Sequence, residues 1–217
     1  MEPIVMISGY ARSGKDSLGA FLAQRHGFVV AKTSHALKHV AWELDPIVGF
    51  DPTAAGAVRL RDLITDPFDD DQTEAAKRSP YGEEVIRLWQ RLGTDCVDHT
   101  ALGADLWARA LRAELLRRRA EGHRVAITDG RKPAEADLVR SLGGLVIRLD
   151  RPGVGPRNAH VNEVALDGYD FDLRLNNDGT LEQLAEHADG LAALLRQREV
   201  TRPERVAEPE PDGFLTF

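Results

Sequence analysis

The segment Gly9-Tyr10-Ala11-Arg12-Ser13-Gly14-Lys15 follows an apolar block, Ile4-Val5-Met6-Ile7. It precedes a helical pattern with Leu18, Phe21 and Leu22 on one face. Strand, glycine-rich turn and helix in that order leave few folds open to the chain. The glycines let the backbone curl so that successive N–H groups point inward at a phosphate chain. The helix start adds a partial positive charge there, and Lys15 adds a full one. A glycine-rich turn that merely caps a helix is the alternative. The flanking strand and helix argue against it.

One position departs from the general pattern. After the lysine a phosphate loop carries Ser or Thr, whose hydroxyl sits on Mg²⁺. Here the residue is Asp16, with Ser17 one step later. Both are hard oxygen donors of the kind Mg²⁺ takes, directly or through water. Arg12, Ser13, Gly14, Lys15, Asp16 and Ser17 are therefore the expected contacts of a bound ATP and its metal.

The 217 residues suffice for one large α/β domain with a good core. The net charge of −7 disfavours a duplex nucleic-acid binder and makes local basic clusters more telling. A single cysteine, Cys96, excludes an internal disulfide and any multi-cysteine metal cluster. No apolar run approaches a membrane span, and the first residues do not read as a signal peptide. A cytoplasmic protein with no membrane partner is the expectation.

Beyond the loop the chain alternates strand and helix, which implies a mostly parallel sheet covered on both faces. Phe28–Val30, Val125–Ile127, Leu145–Leu149 and Phe171–Leu175 read as further strands. Ser34 is expected to cap a helix to Leu44, and 45–57 to form a loop. Residues 65–81 hold Asp69-Asp70-Asp71 and Ser79-Pro80, and read as a mobile, solvated insert. Helices are expected over 83–92, 105–121 and from Pro133 to Leu142. Thr180 with Gln183 forms a capping box for a last helix. The run Arg117-Arg118-Arg119 ends its helix, where it complements the dipole. From Glu199 the chain is rich in Pro and Glu and reads as a disordered tail.

Chemistry is expected where strands end. Asp129 follows Val125–Ile127, at the end of the sheet where parallel α/β folds keep their ligands. A carboxylate there can hold the water shell of Mg²⁺, and Arg131 would point into the same crevice. Arg148, Arg151 and Arg157 surround Pro152-Gly153 and Gly155-Pro156, the composition of a closing lid over about 150–170. Phosphoryl transfer carries negative charge throughout, so several arginines suit it. His160-x-x-Glu163 lacks the second histidine of a zinc motif and reads as a hydrogen-bonded pair. A kinase needs a second anion site for its acceptor. Arg87, Gln90, Gly93 and Thr94 offer one, and Trp107 either stacks on a base or belongs to the core.

Five segments together resemble the bacteriophage deoxynucleoside monophosphate kinases. They are SGYARSGKDS at 8–17, RLWQRLGTD at 87–95 with LWARAL at 106–111, TDGRKPAEAD at 128–137, IRLDRPG at 147–153, and AHVNE at 159–163 into DLRLNNDGTLEQL at 172–184. The Asp after the lysine, odd for a general phosphate loop, is what that family shows. The resemblance runs over about residues 1–195. It implies a P-loop kinase three-layer α/β fold, with a five-stranded parallel sheet, helices on both faces and a short lid. It also implies transfer of the ATP γ-phosphoryl group, with Mg²⁺, to a deoxynucleoside monophosphate, often by a homodimer. Carried over, Lys15, Arg131 and Arg151 are catalytic. Arg87, Gln90, Gly93, Thr94, Trp107, Asp129 and Arg131 meet the acceptor, and Asp16, Ser17 and Asp129 serve the metal. The domain would span 1–198, with its acceptor region at about 34–122 and the tail at 199–217.

Three other readings compete. Another small-molecule P-loop kinase, such as a phosphomevalonate kinase, shares the G-K-D loop and a D-x-R strand end. A non-catalytic guanine-nucleotide switch needs an N-K-x-D segment, and Asn176-Asn177-Asp178 lacks the lysine. A nucleic-acid-processing ATPase is disfavoured by the acidic charge.

Overall fold

The computed structural model describes residues 2–51, 53, 56–95, 106–156 and 164–201. The expectations for Cys96, Arg157, His160, Glu163 and most of the tail fall outside them, as does the side chain of Thr94.

Five strands form one parallel sheet. They are β1 (Ile4–Ser8), β2 (Phe28–Ala31), β5 (Arg124–Ile127), β6 (Leu145–Asp150) and β7 (Leu173–Asn176), in the spatial order β2-β5-β1-β6-β7. The first strand is central, with Met6 opposite Ile127 on one side and Val146 on the other. All five of its residues are buried, as expected of a strand covered on both faces.

Alternation sorts its side chains between two cores. Val5 and Ile7 join Leu18 and Leu22 of α1 (Lys15–His26), together with Leu184, Ala188, Leu191 and Leu195 of the last helix. Ile4 and Met6 face the other way. There they meet Leu111 and Leu115 of α6 (Leu106–Ala120) and Ala136 and Val139 of α7 (Pro133–Ser141). The last helix, α8, runs Leu181–Thr201. Thr180 N donates to Gln183 Oε1 at 2.8 Å, so its capping box is real. The helix continues to Thr201, past the residue 198 where the domain was expected to end.

A third apolar cluster supports the far wall of the site. It gathers Ala41 of α2 (Ser34–Leu44), Val48 of β3 (Ile47–Asp51) and Leu60 of α3 (Leu60–Leu63). Ile64, Ala76 of α4 (Asp70–Arg78) and Val85 of α5 (Gly82–Gln90) complete it.

Several expectations change here. The 45–57 loop is instead an antiparallel hairpin of β3 with β4 (Gly56–Arg59). Its strands are short and irregular, with a register shift after Ile47, so no alternation shows in sequence. The 65–81 insert contains a helix. Asp69 caps it, accepting from the Asp71 and Gln72 backbone N–H groups, and Gln72 Nε2 returns a bond to Asp69. Ser34 is not the cap of its helix but its first residue. Arg117 and Arg118 of the expected helix-ending run also make ion pairs within their helix. They pair with Glu114, and Arg117 also with Glu121. No helix among the described residues is long and apolar enough to cross a membrane.

Candidate active site

The loop between β1 and α1 is held in place by backbone geometry and three outside contacts. Arg12 and Gly14 both have positive φ, 71° and 100°. A side chain on Gly14 would lie 2.5 Å from Asn177 Nδ2, and one on Gly9 would strike the Leu149 carbonyl. The glycines are thus required by close approach as well as by φ. The buried Asn177 side chain donates to the Ser13 carbonyl at 2.8 Å, tying the turn after β7 to the loop. Lys15 Nζ donates to the Tyr10 carbonyl at 2.8 Å, so the ammonium lies over the loop rather than extended into solvent.

Arg148 forms the second support. It lies in the strand expected at 145–149, but it was grouped with the lid arginines, and its side chain is only 6% exposed. Its guanidinium pairs with Asp150 at 3.0 Å and Asp167 at 3.2 Å and stacks 4.4 Å from the Tyr10 ring centre. Tyr10 Oη donates to the same Asp167 at 2.7 Å. Burial and the Asp167 bond both raise the Tyr10 pKa, so the phenol stays neutral.

The loop opens onto a cavity of about 530 Å³. Ala11, Arg12, Lys15 and Asp16 form one wall, and Asp129, Arg131, Lys132 and Glu135 the next. Both follow neighbouring strands of the sheet, β1 and β5, so the carboxyl-end rule holds. Trp107 and Gly93 line the cavity too, and Trp107 Nε1 donates to the Leu92 carbonyl at 3.1 Å. Arg151 follows β6, on the other side of β1, but is not among the lining residues.

Two expected acceptor residues lie elsewhere. Arg87 is exposed and pairs with Glu84 at 2.6 Å, and Gln90 is exposed beside it. The reason is rotational. Leu88, Trp89 and Leu92 pack into the third cluster. Arg87 stands about 200° around the helix from Trp89, on the solvent side. The metal set changes as well. Asp129 accepts the Thr33 N–H at 2.6 Å, the Ser34 N–H at 3.1 Å and the Ser34 hydroxyl at 2.8 Å. Its carboxylate ties the start of α2 to the end of β5 while also lining the cavity. Ser17, unlike Asp129, is not among the lining residues. Asp16 remains. Its side chain is 76% exposed, faces the cavity and accepts from Thr128 Oγ1 at 3.0 Å. One carboxylate plus substrate phosphates fits how Mg²⁺ is usually bound.

The opposite wall was missed. Lys32, Lys38, Asp70, Glu74 and Lys77 all line the cavity. Asp70, read as part of a solvated acidic loop, bonds Lys32 at 2.5 Å and Lys38 at 3.0 Å. The signal available was the Asp69-x-x-Gln72 cap hidden in the acidic run. A helix start there presents Asp70 at a definite place.

A profile of the deoxynucleotide monophosphate kinase family matches residues 71–188 of the chain, more than half of it. The chain belongs to this family. It is 35% identical over 101 residues to the deoxynucleotide monophosphate kinase of Enterobacteria phage T4, covering 46% of this chain and 42% of that protein. The Escherichia phage RB69 kinase gives 31% over 106 residues, with 46% and 41% coverage. The match to phage proteins thus spans less than half their length. A protein of Acanthamoeba polyphaga mimivirus described as a putative deoxynucleotide monophosphate kinase matches more broadly. It is 26% identical over 195 residues, 83% of this chain and 91% of that one.

Two measurements check this kinase-family site. Asp129→Ala removes three hydrogen bonds from the first turn of α2. It should lower stability by about 1–2 kcal/mol, the usual loss for a helix cap, in denaturant melts. An unchanged midpoint would mean that the cap contributes nothing. Asp70 gives a pH dependence. Burial raises its pKa, but the bonds from Lys32 and Lys38 outweigh this and hold it below the ordinary 3.8. A depressed carboxylate stabilises the fold above its unfolded pKa and loses that contribution as pH falls through the folded value. The Tm gap between wild type and Asp70→Asn should therefore be widest near neutrality and close as pH drops below 3.8. A gap that widens in acid would reverse the assignment.

Proposed function

We propose that this chain transfers the γ-phosphoryl group of ATP to a deoxynucleoside monophosphate. The observation that carries the reading is the shared cavity. The phosphate loop with Lys15, the strand-end Arg131 and the indole of Trp107 all open on one space of about 530 Å³, large enough for more than a triphosphate tail.

In this reading the loop amides and Lys15 hold the donor phosphates. Lys15 already lies over the loop, so little reorganisation is needed when charge builds on the transferring group. Arg131 supports that group from the end of β5. Asp16 would hold Mg²⁺, which supplies charge neutralisation between the phosphates. The nucleophile is an oxygen of the acceptor phosphate. A phosphate monoester has its second pKa near about 6, so it is ionised at neutral pH and needs no general base. Catalysis then rests on positioning and electrostatics. Trp107 gives a flat apolar wall for a base, with its indole N–H committed to Leu92. That wall favours a nucleotide over an isoprenoid phosphate acceptor.

The test supplies ATP, Mg²⁺ and each deoxynucleoside monophosphate in turn and measures ADP release. At least one should support turnover well above the ATP hydrolysis seen without acceptor. If none does and phosphomevalonate does, the runner-up replaces this reading.

A further inference from the structure

We infer that the phosphate of the acceptor nucleotide is held by Lys32 and Lys38, with Asp70 as the carboxylate that positions both ammonium groups. This rests on the kinase reading above and names its second anion site.

The acceptor phosphate brings about two negative charges and must stand beside the donor's terminal phosphate. Its cations must therefore line the same cavity as the phosphate loop. Arg87 does not, since it faces solvent and pairs with Glu84. Lys32 does. It follows β2 directly, and β2 neighbours β5, whose end carries Asp129. Its Nζ lies 3.8 Å from Asp16 Oδ1, one residue from Lys15. Lys38 lies on α2 within the same wall.

Both side chains are mostly sheltered, with 19% and 11% exposed. Two ammonium groups so placed repel each other, and Asp70 between them offsets that. The Asp70 carboxylate, 2.5 Å from the Lys32 ammonium, offsets what burial takes from its charge. Each ammonium has three donors and gives one to Asp70, so donors remain for a ligand. Two positive charges against one negative leave this wall net cationic. The other lysine on this wall, Lys77, is on the same helix as Asp70 but pairs with Glu74 at 2.5 Å and lies over the Trp89 ring.

Asp70 comes from a different element, α4, which the third cluster anchors. The carboxylate therefore fixes where the two lysines stand relative to the phosphate loop, and it acts through them.

The experiment measures acceptor KM and kcat by ADP release, and ATP affinity by titration without acceptor. The variants are Lys32→Ala, Lys32→Arg, Lys38→Ala, Asp70→Asn and Lys32→Ala/Asp70→Asn, each checked for folding by its thermal melt. Each lysine-to-alanine change should raise the acceptor KM about tenfold or more, while ATP affinity moves less than about threefold. Lys32→Arg should recover most of the loss, because it keeps the charge. Asp70→Asn should raise the acceptor KM by a smaller factor and add less than its full effect on top of Lys32→Ala, since there it acts through Lys38 alone. An Asp70→Asn effect on the acceptor KM that adds in full to that of Lys32→Ala would overturn its role, whatever the change in Tm. An acceptor KM that falls in Asp70→Asn would also overturn it, showing a competitor rather than a support. Unchanged acceptor KM in both lysine variants of an active enzyme would overturn the phosphate site alone. A wild type inactive with every deoxynucleotide would instead overturn the kinase reading with it.

Discussion

Lys15→Ala should reduce ADP formation by on the order of 10³-fold or more while leaving the fold intact. Lys15 is the cation of the phosphate loop and the first residue of α1. Within the protein its ammonium bonds the Tyr10 carbonyl, at a position facing the cavity. The loop keeps its other restraints in the variant. Gly9 and Gly14 still hold positive φ, and Asn177 still donates to the Ser13 carbonyl. The melting temperature should therefore fall by less than about 2 °C, as for a partly exposed site. What disappears is the ammonium beside the loop, the charge that the proposed mechanism sets against the transferring group. Turnover above a tenth of wild type would show that the loop does not hold the reacting phosphates.

The second large effect is on stability. Arg148→Met should destabilise the domain by about 2–4 kcal/mol, because it leaves two carboxylates without their buried partner. The guanidinium pairs with Asp150 and Asp167 and packs on the Tyr10 ring. Methionine retains much of the volume, so the loss reports the charge and the stacking rather than a cavity. For a chain of this length each kcal/mol shifts Tm by roughly 2–4 °C, so a drop of about 5–15 °C is expected. Both carboxylates are partly exposed, and water will recover some of the loss, which favours the lower half of that range. A shift under about 2 °C would mean that Arg148 is replaceable and the loop is held by Asn177 and its glycines alone. Because Tyr10 also carries the carbonyl that receives Lys15, this variant should lose activity at temperatures where it remains folded.

Much of the fold was legible because local rules and tertiary packing agree there. The apolar block at 4–7 has no choice but burial, and the glycine spacing after it suits a tightly curled loop, as the positive φ of Gly9 and Gly14 bears out. The box Thr180-x-x-Gln183 marked its helix for the same reason, since both halves of the signal lie within one turn. Where sequence and structure part, the deciding partner lies far along the chain. The hairpin at 47–59 depends on cross-strand pairing with a register shift, which no run of residues displays. Arg148 falls in a legible strand, but its sequence neighbours group it with the lid arginines, and only the fold turns its side chain to Tyr10 and Asp167.

The candidate site divides along the same line. The sequence by itself determined the phosphate loop, with Lys15 and Asp16 at the head of α1, and the strand-end pair Asp129 and Arg131. Each depends on contacts within a few residues and on the general habit of parallel sheets. Only the tertiary structure decided the opposite wall. It turned Arg87 to solvent, because the apolar face of α5 had to meet the third cluster. It committed Asp129 to the start of α2. And it brought Asp70 between Lys32 and Lys38, residues 38 and 32 positions away in the chain. Charges so far apart carry no mutual signal in sequence. Their meeting is set by how α4 packs, and the packing follows from buried apolar side chains rather than from the charges themselves.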